Sequence, residues 1–137
     1  MGRIMAIDFG GSRTGLAVTD PLRITANGLA TVATPKIFDF IDNYLKAETV
    51  DCFVVGDPVS KTYSDIISSM DKFVEKLKNK YPQTEVVRVD ERYTSRLAKR
   101  AMLEGGLGKK ARRNKETVDR VSAVIILQSY LEQLSSG

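Results

Sequence analysis

The chain has 137 residues, 42% of them apolar and 28% charged, and 21 Lys and Arg against 17 Asp and Glu leave a net charge of +4. That size suits a single domain spanning 1–137, long enough to bury roughly two-thirds of the unfolded surface in one core, and no apolar run approaches the about 20 residues of a membrane span. The absence of histidine excludes imidazole-based triads, zinc–imidazole centres and a histidine general base, so any catalysis must use oxygen ligands or a cofactor.

The N-terminus runs directly into an apolar stretch with no signal-peptide pattern, and the cytoplasm is the expected address. Residues 3–8 and 14–19 alternate as two strands around the turn Phe9-Gly10-Gly11-Ser12-Arg13, which predicts an antiparallel hairpin. Arg23–Ala33 reads as a third extended stretch, with Asn27-Gly28 as a turn or bulge. Thr34-Pro35 then opens a helix, with Thr34 expected to cap it and Pro35 to take the first helical position. Ile37, Phe38, Ile41, Tyr44 and Leu45 recur at helical spacing through about Lys46. Asp51–Val55 is a short apolar strand ending at Gly56-Asp57-Pro58, and it holds Cys52, the single cysteine, which reads as a small core residue. Ser64–Lys80 is helical, with Ile66, Ile67, Met70, Phe73, Val74 and Leu77 on one face. Glu85–Val89 is a further strand running into Asp90-Glu91-Arg92. Thr94 or Ser95 caps a helix through Leu103 that Gly105-Gly106 ends. Leu107–Lys115 is a basic loop, Glu116–Leu134 a closing helix, and Ser135-Ser136-Gly137 a tail. This order predicts an α/β fold, a mixed sheet with helices on its faces in which strand 14–19 runs against the others.

In such a sheet, ligands gather at the carboxyl ends of the parallel strands. Three of those ends carry acids: Asp8, Asp57 and Asp90-Glu91. A fourth acid, Asp119, shares a helical stripe with Ser122, Ala123, Ile126 and Tyr130 that is otherwise small or apolar and should face the sheet. Converging carboxylates repel and raise one another's pKa. Hard divalent cations such as Mg²⁺ or Mn²⁺ relieve that repulsion, and a pair of them can clamp a phosphodiester without help from histidine. Glu91 and Asp119 are the acids best placed to join Asp8. Each acid also has a plain alternative: Asp8 and Asp57 as turn residues, Asp90 and Glu91 as partners of Arg88 or Arg92, and Asp119 as a surface partner of Lys115.

Positive charge is concentrated. Residues 88–120 hold eleven basic side chains against five acids, a net +6 that leaves −2 for the rest. Lys109, Lys110, Arg112, Arg113 and Lys115 lead into the helix bearing Asp119, so a polyanion held there would lie beside the acids. Few aromatics interleave with them, which favours backbone contact over base stacking. Arg13 in the glycine turn suits a bidentate phosphate contact. The turn also resembles the Asp-x-Gly hairpin of actin-like and sugar-kinase ATPases, but those require two such domains. Asp8-Phe9-Gly10 is no kinase motif in a chain this short, and Gly105–Lys110 lacks P-loop spacing.

These residues together resemble the YqgF/RuvX family, the RuvC-like Holliday junction resolvases also described as the nuclease that matures the 5′ end of pre-16S ribosomal RNA. The resemblance runs through Ile7-Asp8-x-Gly-x-x-Arg13-Thr14-Gly15 and Val55-Gly56-x-Pro58. It continues through Asp90-Glu91-Arg92-x-Thr94-Ser95, Lys109-Lys110 and Val118-Asp119-x-x-Ser122-Ala123. It implies an RNase H-like fold of five strands, the second antiparallel, with helices on both faces. By position it implies a catalytic, metal-binding trio of Asp8, Glu91 and Asp119. Asp57 stands where members commonly carry an apolar residue and is a candidate further ligand, while Arg13, Arg92 and the basic loop would hold nucleic acid. The implied activity is metal-dependent phosphodiester hydrolysis, with ribosomal RNA precursor as the expected substrate and branched DNA as the alternative. The chain would act as a monomer or a homodimer. Two further classes stay open: a non-catalytic nucleic-acid-binding module, and an interaction partner in transcription or translation.

Overall fold

Five strand-like runs pair into one sheet of order β3-β2-β1-β4-β5. The computed structural model describes residues 2–57, 64–90 and 115–136. In chain order the elements are β1 (Arg3–Asp8), β2 (Arg13–Thr19), β3 (Ala26–Ala33), a 3-10 turn (Thr34–Lys36), α1 (Ile37–Ala47), β4 (Val50–Asp57), α2 (Ser64–Lys80), β5 (Glu85–Asp90) and α3 (Lys115–Ser136). β2 runs antiparallel to both β1 and β3, whereas β1, β4 and β5 are mutually parallel. This is the expected α/β sheet with its second strand reversed. The helix expected over Thr94–Leu103 lies outside the described residues, as does the basic loop apart from Lys115, which already belongs to α3.

Strand alternation sorts the core into two layers. Met5, Ile7, Leu16, Val18, Phe53 and Val55 face one side and pack with Ile37 and Ile41 of α1 and Met70, Phe73, Val74 and Leu77 of α2. Ile4, Ala6, Ala17, Cys52, Val54 and Val89 face the other side and pack with Ala123, Ile126 and Leu127 of α3. Three small residues, Ala6, Ala17 and Ala123, are fully buried in that second layer, which lets α3 lie close to the central strands. Burial on α3 extends beyond the expected stripe, because Leu127 and Ile125 are buried too.

Several boundaries differ from expectation for local reasons. β3 begins at Ala26 rather than Arg23, because Asp20 organises the preceding loop. Its carboxylate accepts the backbone N–H groups of Leu22, Ile24 and Thr25 at 3.2, 2.8 and 2.7 Å. Arg23 adopts a left-handed φ of 59°, and its guanidinium donates to Asp51 Oδ2 at 2.9 Å and to the Gly2 carbonyl at 3.1 Å. Those contacts compensate a backbone conformation that is costly for a residue with a Cβ. The bulge expected at Asn27-Gly28 falls one residue later: those two pair with Val18 and Ala17, and β2 and β3 slip register between Leu16–Ala30 and Ala17–Gly28, leaving Leu29 as the extra residue. α3 continues to Ser136, so Ser135 and Ser136 belong to the helix rather than to a tail.

Candidate metal centre and nucleic-acid face

Asp8 closes β1 at the centre of the sheet, opposite Gly15 of β2. One step beyond the Ile7–Val55 pair, Gly56 flanks it on the β4 side. Glycine on both neighbouring strands leaves space around the carboxylate. Asp8 shares the alternation of Ile4 and Ala6, so it belongs to the α3 layer. It is half-buried, so its desolvation cost is smaller than that of a fully buried charge.

The turn after Asp8 is held by a residue whose role differs from the expected one. Thr34 does not cap α1. Ala33 precedes the 3-10 turn without a side-chain cap, and Lys36 precedes α1 in the same way. The Thr34 hydroxyl instead donates to the Gly10 carbonyl at 2.6 Å, while its N–H donates to the Ser12 carbonyl at 3.0 Å. Its proton being committed to Gly10, Thr34 Oγ1 accepts from Thr14 Oγ1 at 2.9 Å. Thr14 is fully buried. Gly10 must be glycine, because a Cβ there would run into the carbonyl oxygen of Arg13. The turn is therefore fixed at both ends, and Arg13 opens β2 at the rim where β1 ends. Arg13 shares the alternation of Gly15 and Ala17, hence Asp8's side of the sheet. Thr14 and Thr34 escaped the sequence reading because a threonine before a proline looks the same whether it caps a helix or clamps a distant turn.

α3 packs across β2, β3 and β1 and reaches β4. Tyr130, late in α3, meets Cys52 near the start of β4, with Sγ and the phenol oxygen 4.0 Å apart. Burial pushes the Cys52 thiol up to about 11 and the Tyr130 phenol up to about 12, so both are neutral at physiological pH. Tyr130 therefore lies by the start of β4, and Asp119 stands eleven residues earlier on the same helix.

The other expected site residues are less completely seen. Glu91, Arg92, Lys109, Lys110, Arg112 and Arg113 lie outside the described residues. For Asp57, Asp119 and Lys115 the structure gives the backbone: Asp57 ends β4 in register with Asp90 at the end of β5, and Lys115 and Asp119 lie in the first turns of α3. Among the described residues no three His, Cys, Asp or Glu side chains gather so as to hold a metal ion. Of the expected trio, Asp8 is the member whose side chain is described. The donor set nevertheless suits a hard cation: carboxylates only, no imidazole or thiolate, and glycines leaving space beside Asp8. Among the described residues no helix is long and apolar enough to cross a membrane.

Comparison with known proteins places this geometry. The family model described as "RuvX: Holliday junction resolvase" matches residues 2–133. A protein of Bacteroides fragilis named "Putative pre-16S rRNA nuclease" is 52% identical over 134 residues, covering 96% of this chain and 97% of that one. A protein of the same name from Porphyromonas gingivalis is also 52% identical, with the same coverage. Among solved structures, Thermus thermophilus RuvC in complex with a Holliday junction substrate superposes with a TM-score of 0.64 at 17% identity, over 97% of this chain and 96% of that one. That likeness gives a RuvC-like fold. With a family model matched over nearly its whole length and relatives at half identity, the chain belongs to the RuvX family.

Proposed function

We propose that this chain is a metal-dependent endonuclease that hydrolyses phosphodiester bonds in ribosomal RNA precursor, at the 5′ end of pre-16S RNA. Asp8, Glu91 and Asp119 are its metal ligands. The observation that carries the reading is the position of Asp8: an acid at the end of the central strand, flanked by glycines, on the face covered by α3. The names of the half-identical relatives supply the substrate class.

Levels along the sheet support the inclusion of Asp119. From Tyr130 back to Asp119 is eleven residues of helix, about 16 Å at 1.5 Å per residue. From Cys52 to Gly56, the neighbour of Asp8, is four residues of strand, about 13 Å. With α3 antiparallel to these strands, Asp119 and Asp8 would fall at similar heights. For Glu91 the support is its place in the chain: it follows directly on β5, whose Val87 and Val89 pack in the α3 layer. Asp57 ends β4 two positions beyond Val55, which packs in the layer of α1 and α2. The proposed ligand set is Asp8, Glu91 and Asp119, with Asp57 outside it.

A divalent cation, Mg²⁺ or Mn²⁺, supplies Lewis-acid polarisation of the phosphate and a more acidic water. The protein's own residues supply the rest. The carboxylates hold the cation, the Thr34-clamped turn presents Arg13 to a phosphate oxygen, and Arg92, Lys109, Lys110, Arg112, Arg113 and Lys115 neutralise the flanking backbone. Ribosomal precursor as substrate places the chain in the cytoplasm, with residues 1–137 acting as one domain.

The family description favours a second reading, resolution of branched DNA, which needs a symmetric dimer to cut two strands. One experiment separates these readings: cleavage of a pre-16S leader RNA and of a four-way DNA junction, each with Mn²⁺ and with chelator. The proposal expects metal-dependent cleavage of the RNA. Cleavage of the junction alone would move the function to DNA, and no cleavage by folded protein would leave a binding module.

A further inference from the structure

On the opposite face from Asp8, a cleft of about 490 Å³ opens between the β1–β2 turn, the start of α1 and α2. That volume lies within the about 300–1,000 Å³ typical of small-ligand sites. Its wall is aromatic: Phe9 stacks on Phe73 with centroids 4.6 Å apart, and Phe38 packs on Phe73 at 5.5 Å. Pro35 extends the apolar surface, and Lys72 and Lys76, both exposed on α2, stand at the edge. Phe9 follows Asp8 directly and continues the alternation of Met5 and Ile7 into the other layer. The cleft and the candidate metal centre therefore adjoin across the rim of the sheet, one residue apart in the chain.

We propose that this cleft binds one unpaired nucleotide of the RNA substrate beside the scissile phosphodiester, its base against the Phe9–Phe38–Phe73 wall and its phosphate near Lys72 and Lys76. The inference rests on the reading of the chain as an RNA nuclease. Three features favour this occupant. Phe9 and Phe38, both half-buried, form the open part of an apolar wall backed by the buried Phe73, a surface of the kind that takes bases by stacking, a mode indifferent to sequence. The two lysines match a phosphate in charge, with only Glu75 opposing them among the lining residues. A strand crossing the rim from Asp8 would reach Phe9 next, and only an unpaired nucleotide can turn its base out of a helix into such a cleft. Ser69 and Asn79, also lining it, offer hydrogen bonds to a base edge.

The test is an NMR titration in the presence of chelator, with uridine 5′-monophosphate and adenosine 5′-monophosphate as probes and ribose 5-phosphate as control. The expected result is saturable shifts of the Phe9, Phe38, Phe73 and Asn79 resonances with either nucleotide and none with the sugar phosphate. The exposed double variant Lys72→Glu/Lys76→Glu should bind about tenfold more weakly. No shifts, equal shifts with ribose 5-phosphate, or undiminished affinity in the folded variant would each overturn the assignment. Because no metal is present and no bond is cut, this outcome is independent of whether the nuclease reading survives its own cleavage assay.

Discussion

Replacing Thr34 by valine keeps the side chain's shape and removes one hydroxyl. Two hydrogen bonds go with it: donation to the Gly10 carbonyl at 2.6 Å and acceptance from Thr14 at 2.9 Å. The Gly10 carbonyl is half-exposed and can turn to water. Thr14 is fully buried and cannot, so its hydroxyl bears the larger penalty. A net bond of about 1 kcal/mol plus about 1–2 kcal/mol for the stranded hydroxyl gives a loss of about 2–3 kcal/mol. With a urea m-value of about 1–3 kcal/mol/M, the unfolding midpoint should fall by about 1 M. A double-mutant cycle supplies the sharper check. In Thr14→Val/Thr34→Val the buried hydroxyl is gone as well, so the double variant should be more stable than the sum of the single losses by about 1 kcal/mol. Additivity within about 0.3 kcal/mol would refute the clamp. The same variant should weaken RNA binding through Arg13, since the clamped turn is what positions β2's first residue.

Three further outcomes follow from the packing and the shifted groups. Ala123→Leu adds volume to a layer already closed by Ala6 and Ala17; thermal unfolding should register a loss of about 1–3 kcal/mol, and Mn²⁺ affinity should fall as α3 and Asp119 move away from Asp8. Tyr81→Phe removes the phenol that donates to Asp42 at 2.6 Å and should cost about 1 kcal/mol at neutral pH. The Tyr81 hydroxyl, ahead of Lys80, holds the Asp42 carboxyl below its ordinary 3.8. Its stabilisation is thus complete above pH 3.8 and fades as the pH falls through the depressed folded value, so the gap between wild type and variant in urea titrations should narrow only in strong acid. Cys52, buried with its thiol pushed up to about 11, should resist a thiol-specific disulfide reagent at pH 8 in native protein and react fully in urea; rapid native labelling would contradict that burial.

Most of the architecture was legible in apolar alternation. Ile4–Ile7, Leu16–Val18 and Phe53–Val55 predict strands whose two faces are the two layers found, and Met70, Phe73, Val74 and Leu77 mark the buried face of α2. Contacts between residues distant in sequence were not legible. Nothing near Thr34 announces that its hydroxyl reaches Gly10, and nothing near Arg23 announces Asp51 as its partner. Local propensity predicts a cap at Thr34 and an earlier strand start at Arg23; the long-range bond to Gly10 overrides the first, and the Asp20 bonds to the loop backbone together with the Arg23–Asp51 contact override the second. Of the candidate site, the acids at strand ends were legible, because they stand out against apolar runs: Asp8, Asp57 and Asp90 close β1, β4 and β5. The face that Asp8 occupies required the strand alternation, which carries its position after Ile4 and Ala6 into the α3 layer.

The central claim is that Asp8, Glu91 and Asp119 share a divalent cation on the α3 side of the rim. Calorimetric titration of Mn²⁺ into wild type, Asp8→Asn, Asp119→Asn and Asp57→Asn tests it without reference to any substrate. The account predicts saturable binding by wild type and Asp57→Asn, and a loss of at least about tenfold, or about 1.4 kcal/mol, in each of the other two with the fold unchanged. Wild-type affinity in Asp8→Asn, or a loss confined to Asp57→Asn, would contradict it.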